Sequence, residues 1–441
     1  MLKFYMELLP ETTGHEDGVQ NISVVTDVIN DCNLHCQYCH PLSTGKWGGE
    51  MLTADQIHDV LSTSEDMGEL EVVLSGGEIT MHPEFNRIMD STRALGNTAV
   101  TIITNATRID QNIVDRISES GVDRICVSVD GPTADMHNSR RGHNFDQVME
   151  GLHALKDTGR PVTVISVLDR RTYPRILELT ELLADQGLAN QHHMCAPTYS
   201  GSAKRTYDRY ALHEGDYYEV QSSIDAAYAD LQRRGMYVTF NSFWPVTGEH
   251  GASDAPRTLT LGQLRERVKD LYTIIRPNGD VRTTAAGWGR ETVGNAVVGN
   301  LNDEPASDLL KRVDDAYRSG SVLQMPREVE AGHKFQVGPY AGKLMTNALI
   351  ADKSAPLEES SLPVDTKHIS PLPQMDLLKN ALPDDDISNL AQEVASDPQR
   401  WRLLRHRTGI DLLFDRQTSQ TTLLKPDETT KLQTIYATHT A

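Results

Sequence analysis

Along roughly the first 200 residues, short apolar runs alternate with longer stretches of helical period. The runs are "SVVTDVI" from Ser23, "LEVVLSG" from Leu70, "VTIITN" from Val100, "RICVSVDG" from Arg124, "PVTVISVL" from Pro161 and "HHMCAP" from His192. Near-continuous hydrophobicity over so few residues marks strands covered on both faces, as in a parallel sheet. The intervening stretches are amphipathic. "TADQIHDVLSTSEDM" opens on a Thr53-x-x-Gln56 capping box and gathers Ile57, Val60 and Leu61 on one side. "NFDQVMEGLHALKDTG" and "TYPRILELTELLADQG" each run out at a glycine suited to a helix C-cap. Such alternation requires parallel strands, helices outside and right-handed crossovers. Six units are too few to close an eight-stranded barrel. The pattern therefore predicts an α/β fold, a partial (β/α)6 TIM-like barrel with its chemistry at the carboxyl ends of the strands.

After about Gly201 the rhythm breaks. "EGDYYEVQSSIDAAYADLQRRG" predicts a helix, "MYVTF" a strand, and "LYTIIRPNGDVRTTAAGWG" a hairpin turning at Pro277-Asn278-Gly279-Asp280. From about Glu328 to Pro373 no period persists, which suggests a linker or covering strap. The last part predicts a helix over "DDDISNLAQEVA", a second around "PQRWRLLRHR" and a hairpin over "GIDLLFDRQTSQTTLLKP". The expected organisation is a barrel core over 1–215 and a small α+β extension over 216–325. A linker over 326–374 and a helical and hairpin segment over 375–441 follow.

A chain of 441 residues suits two or three domains. Hydrophobic residues make up 38%, without an apolar run of membrane length, so no membrane partner is expected. The opening "MLKFYMELLPETTGHEDG" lacks the basic and apolar regions of a signal peptide. A net charge of -20 argues against nucleic acid as the main partner, since phosphate binding needs a concentrated basic face. Five cysteines, three of them clustered, do not form a secreted disulfide framework. A reducing cytoplasm is the expected compartment.

The cluster is "CNLHCQYCH", with Cys32, Cys36 and Cys39 directly after the first strand. A loop there can aim thiols spaced four and three apart at one small object. Thiolates are soft ligands for iron–sulfur clusters and for zinc. Three ligands on a four-iron cluster leave one iron open to a substrate or cofactor. A zinc site completed by His40 or His35 is the alternative, and a C-x-x-C redox pair is another.

Further residues bear on that choice. "LSGGE" places Gly76, Gly77 and Glu78 after the second strand, "ITNAT" places Thr104 and Asn105 after the third, and "SVDGP" with "HNSRRG" places Ser128, Asp130 and Arg141 after the fourth. With Tyr38 before the last cysteine of the trio, this set resembles the radical S-adenosylmethionine (radical SAM) superfamily over about the first 200 residues. The resemblance implies one [4Fe-4S] cluster on Cys32, Cys36 and Cys39, with S-adenosylmethionine (SAM) chelating the open iron. It implies reductive cleavage of SAM to a 5′-deoxyadenosyl radical that takes hydrogen from a carbon beyond the reach of acid or base. Gly76, Gly77 and Glu78 would face the methionyl amino group, Arg141 the SAM carboxylate, and Asn105 and Ser128 other polar groups of SAM. Tyr38 would pack near adenine, and Asp130 reads as a turn-former. An electron donor such as flavodoxin or ferredoxin is implied as a partner. Two departures stand out: the expected Gly-Gly-Glu-Pro reads Gly-Gly-Glu-Ile, and Thr-Asn-Gly reads Thr-Asn-Ala.

The stretch from Ile274 to Arg312 resembles in outline the SPASM or twitch extension of that superfamily. Thr283 and Thr284 stand where a cysteine is expected, and no cysteine follows Cys195. A second cluster is therefore not expected. A redox-neutral outcome, of the epimerisation type, then needs a hydrogen donor, and Cys195 at the end of the sixth strand suits that role. Cys126 reads as core. Of His192 and His193 one should face inward, and Trp288 and Tyr199 are candidates for a substrate channel. The segment from Met375 onward suits a cap over the barrel mouth, with leader-peptide recognition or dimerisation as other uses. The expected function is hydrogen abstraction from a small natural-product or peptide substrate. A maturase that cross-links or oxidises a ribosomal peptide is the alternative, and a non-catalytic metal-stabilised binding protein is the alternative of another class.

Overall fold

Each apolar run becomes a strand: β1 (Ser23–Ile29), β2 (Glu71–Gly76), β3 (Ala99–Thr104), β4 (Arg124–Ser128), β5 (Val162–Val167) and β6 (Gln191–Cys195). They pair in parallel, each with the next. The structure, a computed structural model, describes residues 23–39, 49–69, 71–197, 201–212, 214–241, 258–260, 271–285, 297–318, 334–336, 396, 400–405, 411–415 and 421–424. Between and after the strands run α1 (Ala54–Met67), α2 (Phe85–Ser91), α3 (Gln111–Ser118), α4 (Ala134–Arg141), α5 (Phe145–Leu155), α6 (Ile176–Asp185), α7 (Tyr207–Tyr210), α8 (Glu214–Arg233) and α9 (Ala306–Arg318). The Thr53–Gln56 capping box is formed, and α1 stops at Gly68 with φ 72°.

The sheet continues past both of its expected edges. β7 (Tyr237–Asn241) adds a further parallel strand beside β6. β8 (Thr258–Thr260) lies outside this sheet. β9 (Leu271–Ile275) pairs in parallel with β1, and the antiparallel β10 (Asp280–Ala285) and β11 (Val297–Asn300) follow it. The order is β11-β10-β9-β1-β2-β3-β4-β5-β6-β7, an open partial barrel. An uncovered β1 or β6 would expose a full row of backbone N–H and C=O groups, and β9 and β7 satisfy those rows. α9 docks back onto α1, with the Ala306 N–H donating to Asp59 Oδ2 at 2.8 Å and Gln56 Nε2 to Asn302 Oδ1 at 3.0 Å.

One face of the strands is apolar. Val24, Val28, Val72, Leu74, Val100, Ile102, Ile125 and Val127 share one core with Ile57, Leu61, Val148, Leu152, Leu179 and Leu183 of the helices. The alternate positions are more polar than an apolar run suggests. Thr101 Oγ1 donates to Glu71 Oε1 at 2.6 Å, and Arg124 Nη1 lies 3.8 Å from the same oxygen. Thr163 Oγ1 donates to Gln191 Oε1 at 3.3 Å. The two histidines of β6 take opposite sides. His192 bonds Thr180 of α6 through Nδ1 at 2.7 Å and Ser166 through Nε2 at 2.8 Å, whereas His193 reaches Thr239 of β7 at 2.7 Å. Burial pushes His192 down to about 3 and holds His193 well below the usual range, so both rings are neutral at pH 7. Cys126 is fully buried in β4, as expected of a core residue.

One sequence expectation is corrected. "WRLLR" is no helix: Trp401–Arg405 form β13, paired antiparallel with β14 (Asp411–Asp415), which pairs with β15 (Thr421–Leu424). Β12 (Lys334–Gln336), met inside the stretch expected to be a linker, pairs with β8. Five residues fit either period, and strand partners decide the outcome. The β14–β15 hairpin matches its expectation. The expected helix over 384–395, and Tyr199, Trp288 and His40, lie outside the described residues. Among the described residues no helix is long and apolar enough to cross a membrane.

Candidate active site

The cysteine loop leaves β1 at Ile29, and the end of β2 is pressed against it. The Gly77 N–H donates to Ile29 O at 2.7 Å and the Glu78 N–H to Asp31 O at 2.9 Å. A Cβ on Gly77 would stand 2.0 Å from Asp31 O, and Gly76, at φ +130°, would bring one to 2.4 Å from Ile29 O. The close approach for which these glycines are needed is thus to the chain's own cysteine loop.

Glu78 is 1% exposed and its carboxylate is occupied by the protein. Oε1 accepts from the Thr80 N–H at 3.1 Å, Thr80 Oγ1 at 2.7 Å and Thr104 Oγ1 at 2.7 Å, and Oε2 accepts from the Asn105 N–H at 2.7 Å. Glu78 therefore locks the ends of β2 and β3 together. Asn105 in turn reaches the first cysteine: its Nδ2 lies 3.8 Å from Cys32 Sγ and donates to Asn33 Oδ1 at 3.0 Å. Ala106, where the resemblance expects glycine, keeps the left-handed conformation at φ 57°. That costs an alanine on the order of 1 kcal/mol, and the surrounding bonds to Thr104 and Asn105 hold it there.

The other side of the loop is built on Asp130. Its Oδ2 accepts from the Tyr38 hydroxyl and lies 3.7 Å from Arg141 Nη1, while Oδ1 accepts from the Val167 N–H at 3.0 Å. Arg141 Nη1 donates to the Tyr38 oxygen at 2.6 Å, and the Arg140 guanidinium lies 4.5 Å over the Tyr38 ring. Arg140 also donates to Val167 O and Thr172 Oγ1 and pairs with Asp169 at 3.4 Å. Burial opposes ionisation of Asp130, but Arg140 and Arg141 outweigh it and hold the carboxyl below its ordinary range. His137 accepts the Asp130 N–H at 3.3 Å through Nδ1 and faces Asn144 Oδ1 through Nε2 at 2.8 Å, a neutral ring with a fixed tautomer.

The structure thus brings Cys32, Cys36, Cys39, Gly76, Gly77, Glu78, Asn105, Tyr38 and Arg141 to one edge, the carboxyl ends of β1 to β4. Ser128 and Cys195 stand on the same edge, at the ends of β4 and β6. Among the described residues neither is hydrogen-bonded to the cysteine loop, and Cys195 Sγ donates to Ser166 O at 3.6 Å. Asp130, read from the sequence as a turn-former, ties Tyr38, Arg141 and β5 together. The signal that could have found it is the Arg140-Arg141 pair downstream, two adjacent charges that each need an acid once buried: Asp169 serves the first and Asp130 the second.

Cys32 is buried, whereas Cys36 and Cys39 are partly exposed. Burial pushes Cys32 up to about 12 against the Leu34 N–H, with Glu78, Cys36 and Cys39 adding to the rise. Burial likewise raises Cys36, opposed by Arg141. His35 points to solvent. Among the described residues no three Cys, His, Asp or Glu side chains converge on a single metal-ion position. A cubane requires something different, with each thiolate on its own iron. Three soft donors on one loop fit that demand, and so does Arg141. It is only 8% exposed, its charge stands beside the loop, and its buried Nε, like that of Arg140, has no hydrogen-bond partner among the described residues.

Residues 26–183 match the radical SAM superfamily. Over 171 residues the chain is 28% identical to the AdoMet-dependent heme synthase of Methanosarcina barkeri, covering 38% of this chain and 49% of that protein. It is 30% identical over 168 residues to the mycofactocin maturase MftC of Mycobacterium tuberculosis, covering 38% of this chain and 42% of MftC. The chain thus spans less than half the length of these relatives. Among solved structures, SuiB of Streptococcus suis bound to its precursor peptide SuiA superposes with a TM-score of 0.54 at 16% identity, over 73% of this chain and 71% of SuiB. That likeness concerns the fold. The strand-end thiols and the sequence match fall on the same stretch: residues 26–183 carry a radical SAM domain.

Proposed function

We propose that this chain is a radical SAM enzyme that abstracts hydrogen from a small natural-product precursor or a peptide. The observation that carries this reading is the arrangement of the trio. Cys32, Cys36 and Cys39 stand on one strand-end loop, beside an arginine whose buried Nε has no protein partner. A [4Fe-4S] cluster and SAM bound there would supply the one-electron reduction that starts hydrogen abstraction. Cys32, Cys36 and Cys39 hold the cluster. Arg141 takes the SAM carboxylate in its fork, and Tyr38 and Asp130 fix its direction. Gly76, Gly77 and Glu78 act first by setting the loop against β2 and β3, which presents backbone to the methionyl end of SAM. Asn105 and Ser128 supply polar contacts. Thr283 and Thr284 offer no thiolate on β10, so one cluster serves the whole chain.

Two comparisons favour a peptide among the substrates: MftC is a maturase, and SuiB is seen with a precursor peptide. A cross-link or oxidation in a ribosomal peptide is then the second reading. In the redox-neutral reading Cys195 returns hydrogen to the product from the edge of β6.

Incubating iron-loaded protein with dithionite and SAM without oxygen is expected to yield 5′-deoxyadenosine by chromatography, and Cys36→Ala none. Cys195→Ala should still yield it while losing deuterium incorporation into product in D₂O. Wild-type protein that carries iron yet leaves SAM intact would overturn the enzyme reading. Unchanged deuterium incorporation in Cys195→Ala would remove the hydrogen-donor role.

A further inference from the structure

Gln37 of the cysteine loop meets a strip of arginines from the segments after β5 and β6. Gln37, between Cys36 and Cys39, accepts from Arg171 Nη1 at 3.0 Å and donates to Ser139 O at 2.7 Å. Arg171 lies 3.8 Å over the Tyr210 ring, and Arg209 approaches that ring at 5.0 Å. Arg170 donates its backbone N–H to Tyr210 O at 2.9 Å and its guanidinium to Arg209 O. The Ser202 N–H donates to Cys39 O at 2.9 Å, which brings the turn Gly201–Arg205, ending on an exposed arginine, against the same loop.

Arg170, Arg205 and Arg209 are exposed, and together with Arg171 they outnumber the acids of the same segments, Asp169 and Asp208. Arg171 is paired with the buried Asp169, which Arg140 shares. The local charge is therefore positive on a chain whose net charge is -20. Such a contrast selects an acidic partner and orients it, because the rest of the surface repels it. Stacking on Tyr210 fixes two of the guanidinium groups, so little side-chain entropy is lost on contact.

We infer that Arg170, Arg171, Arg205 and Arg209 form the docking surface for an acidic one-electron carrier protein, placed over Gln37 beside the cluster ligands. This inference rests on the reading that Cys32, Cys36 and Cys39 hold a redox cluster. The carrier is oxidised by one electron and the cluster reduced by one, and no bond forms or breaks. Docking here brings the carrier to within one residue of Cys36 along the chain, a short route for the electron.

The test is stopped-flow reduction of iron-loaded protein by reduced flavodoxin at low and high salt, with dithionite as the small reductant. Wild type is expected to slow about tenfold as salt is raised, and Arg170→Glu/Arg209→Glu to slow about tenfold at low salt and lose most of the salt dependence. Arg209→Lys should restore part of the rate, and iron content and dithionite reduction should stay as in wild type. Flavodoxin affinity is also read on the cluster-free Cys36→Ala chain, where the double charge reversal should weaken binding by a similar factor. Equal flavodoxin rates and affinities in wild type and double variant would overturn the docking surface. So would a dithionite rate slowed as much as the flavodoxin rate. If wild type binds no iron, the cluster reading fails by itself, and the affinity comparison still decides the surface.

Discussion

Replacing Asp130 by alanine is expected to cost about 3–5 kcal/mol of stability, because it strands buried charge. Arg140 and Arg141 are 2% and 8% exposed, and Asp130 is the carboxylate that Arg141 faces at 3.7 Å. The substitution also leaves the Val167 N–H and the Tyr38 hydroxyl without their acceptor. Asp130→Asn keeps an oxygen for the Val167 N–H and removes only the charge, so its loss should be smaller. Tyr38→Phe leaves the ion pair and removes the hydroxyl, a change expected to cost about 1 kcal/mol. Urea unfolding of the three variants checks the order. A loss in Asp130→Ala no larger than in Tyr38→Phe would mean that the ion pair is not what holds the loop.

The second large effect belongs to Gly77. In Gly77→Ala the new methyl would meet Asp31 O at 2.0 Å and Asp31 C at 2.5 Å, backbone atoms with no rotamer by which to withdraw. Either β2 or the cysteine loop must move, and a cost of about 3 kcal/mol or more is expected. The displacement falls on the residue before Cys32, so iron binding should drop together with stability. Gly159→Ala is the control: its φ of +64° carries left-handed strain, but nothing lies within 4 Å of its new methyl. It should cost only about 1 kcal/mol and leave iron binding intact. Thermal unfolding with an iron assay separates the two. Full iron content and a near-native melting temperature in Gly77→Ala would contradict the packing described.

The six barrel strands and the capping box of α1 were legible because period and caps act locally. Legibility ended where partners are distant. "WRLLR" reads as a helix until β14 is seen beside it, and "MYVTF" does not reveal that it extends the barrel sheet. At the site, Cys32, Cys36 and Cys39 were visible from spacing, and Gly76, Gly77 and Glu78 from their motif. Their immediate tasks were not. That the glycines face Asp31 and Ile29, and that donors from Thr80, Thr104 and Asn105 occupy Glu78, follows from strand-end loops distant in the chain meeting in space. Asp130 was hidden for a related reason. Asp-Gly-Pro is good turn chemistry on its own, and only the fold brings Tyr38 and two arginines to it.

The central claim is that the cysteine loop carries a SAM-binding iron–sulfur cluster. Anaerobic reconstitution followed by iron and sulfide analysis, with electron paramagnetic resonance of the reduced protein before and after SAM, tests it most directly. About four irons and four sulfides per chain are expected, a single cubane's worth, with a signal that shifts when SAM is added and is absent in Cys36→Ala. Bound zinc without iron, or a cluster signal indifferent to SAM, would contradict it.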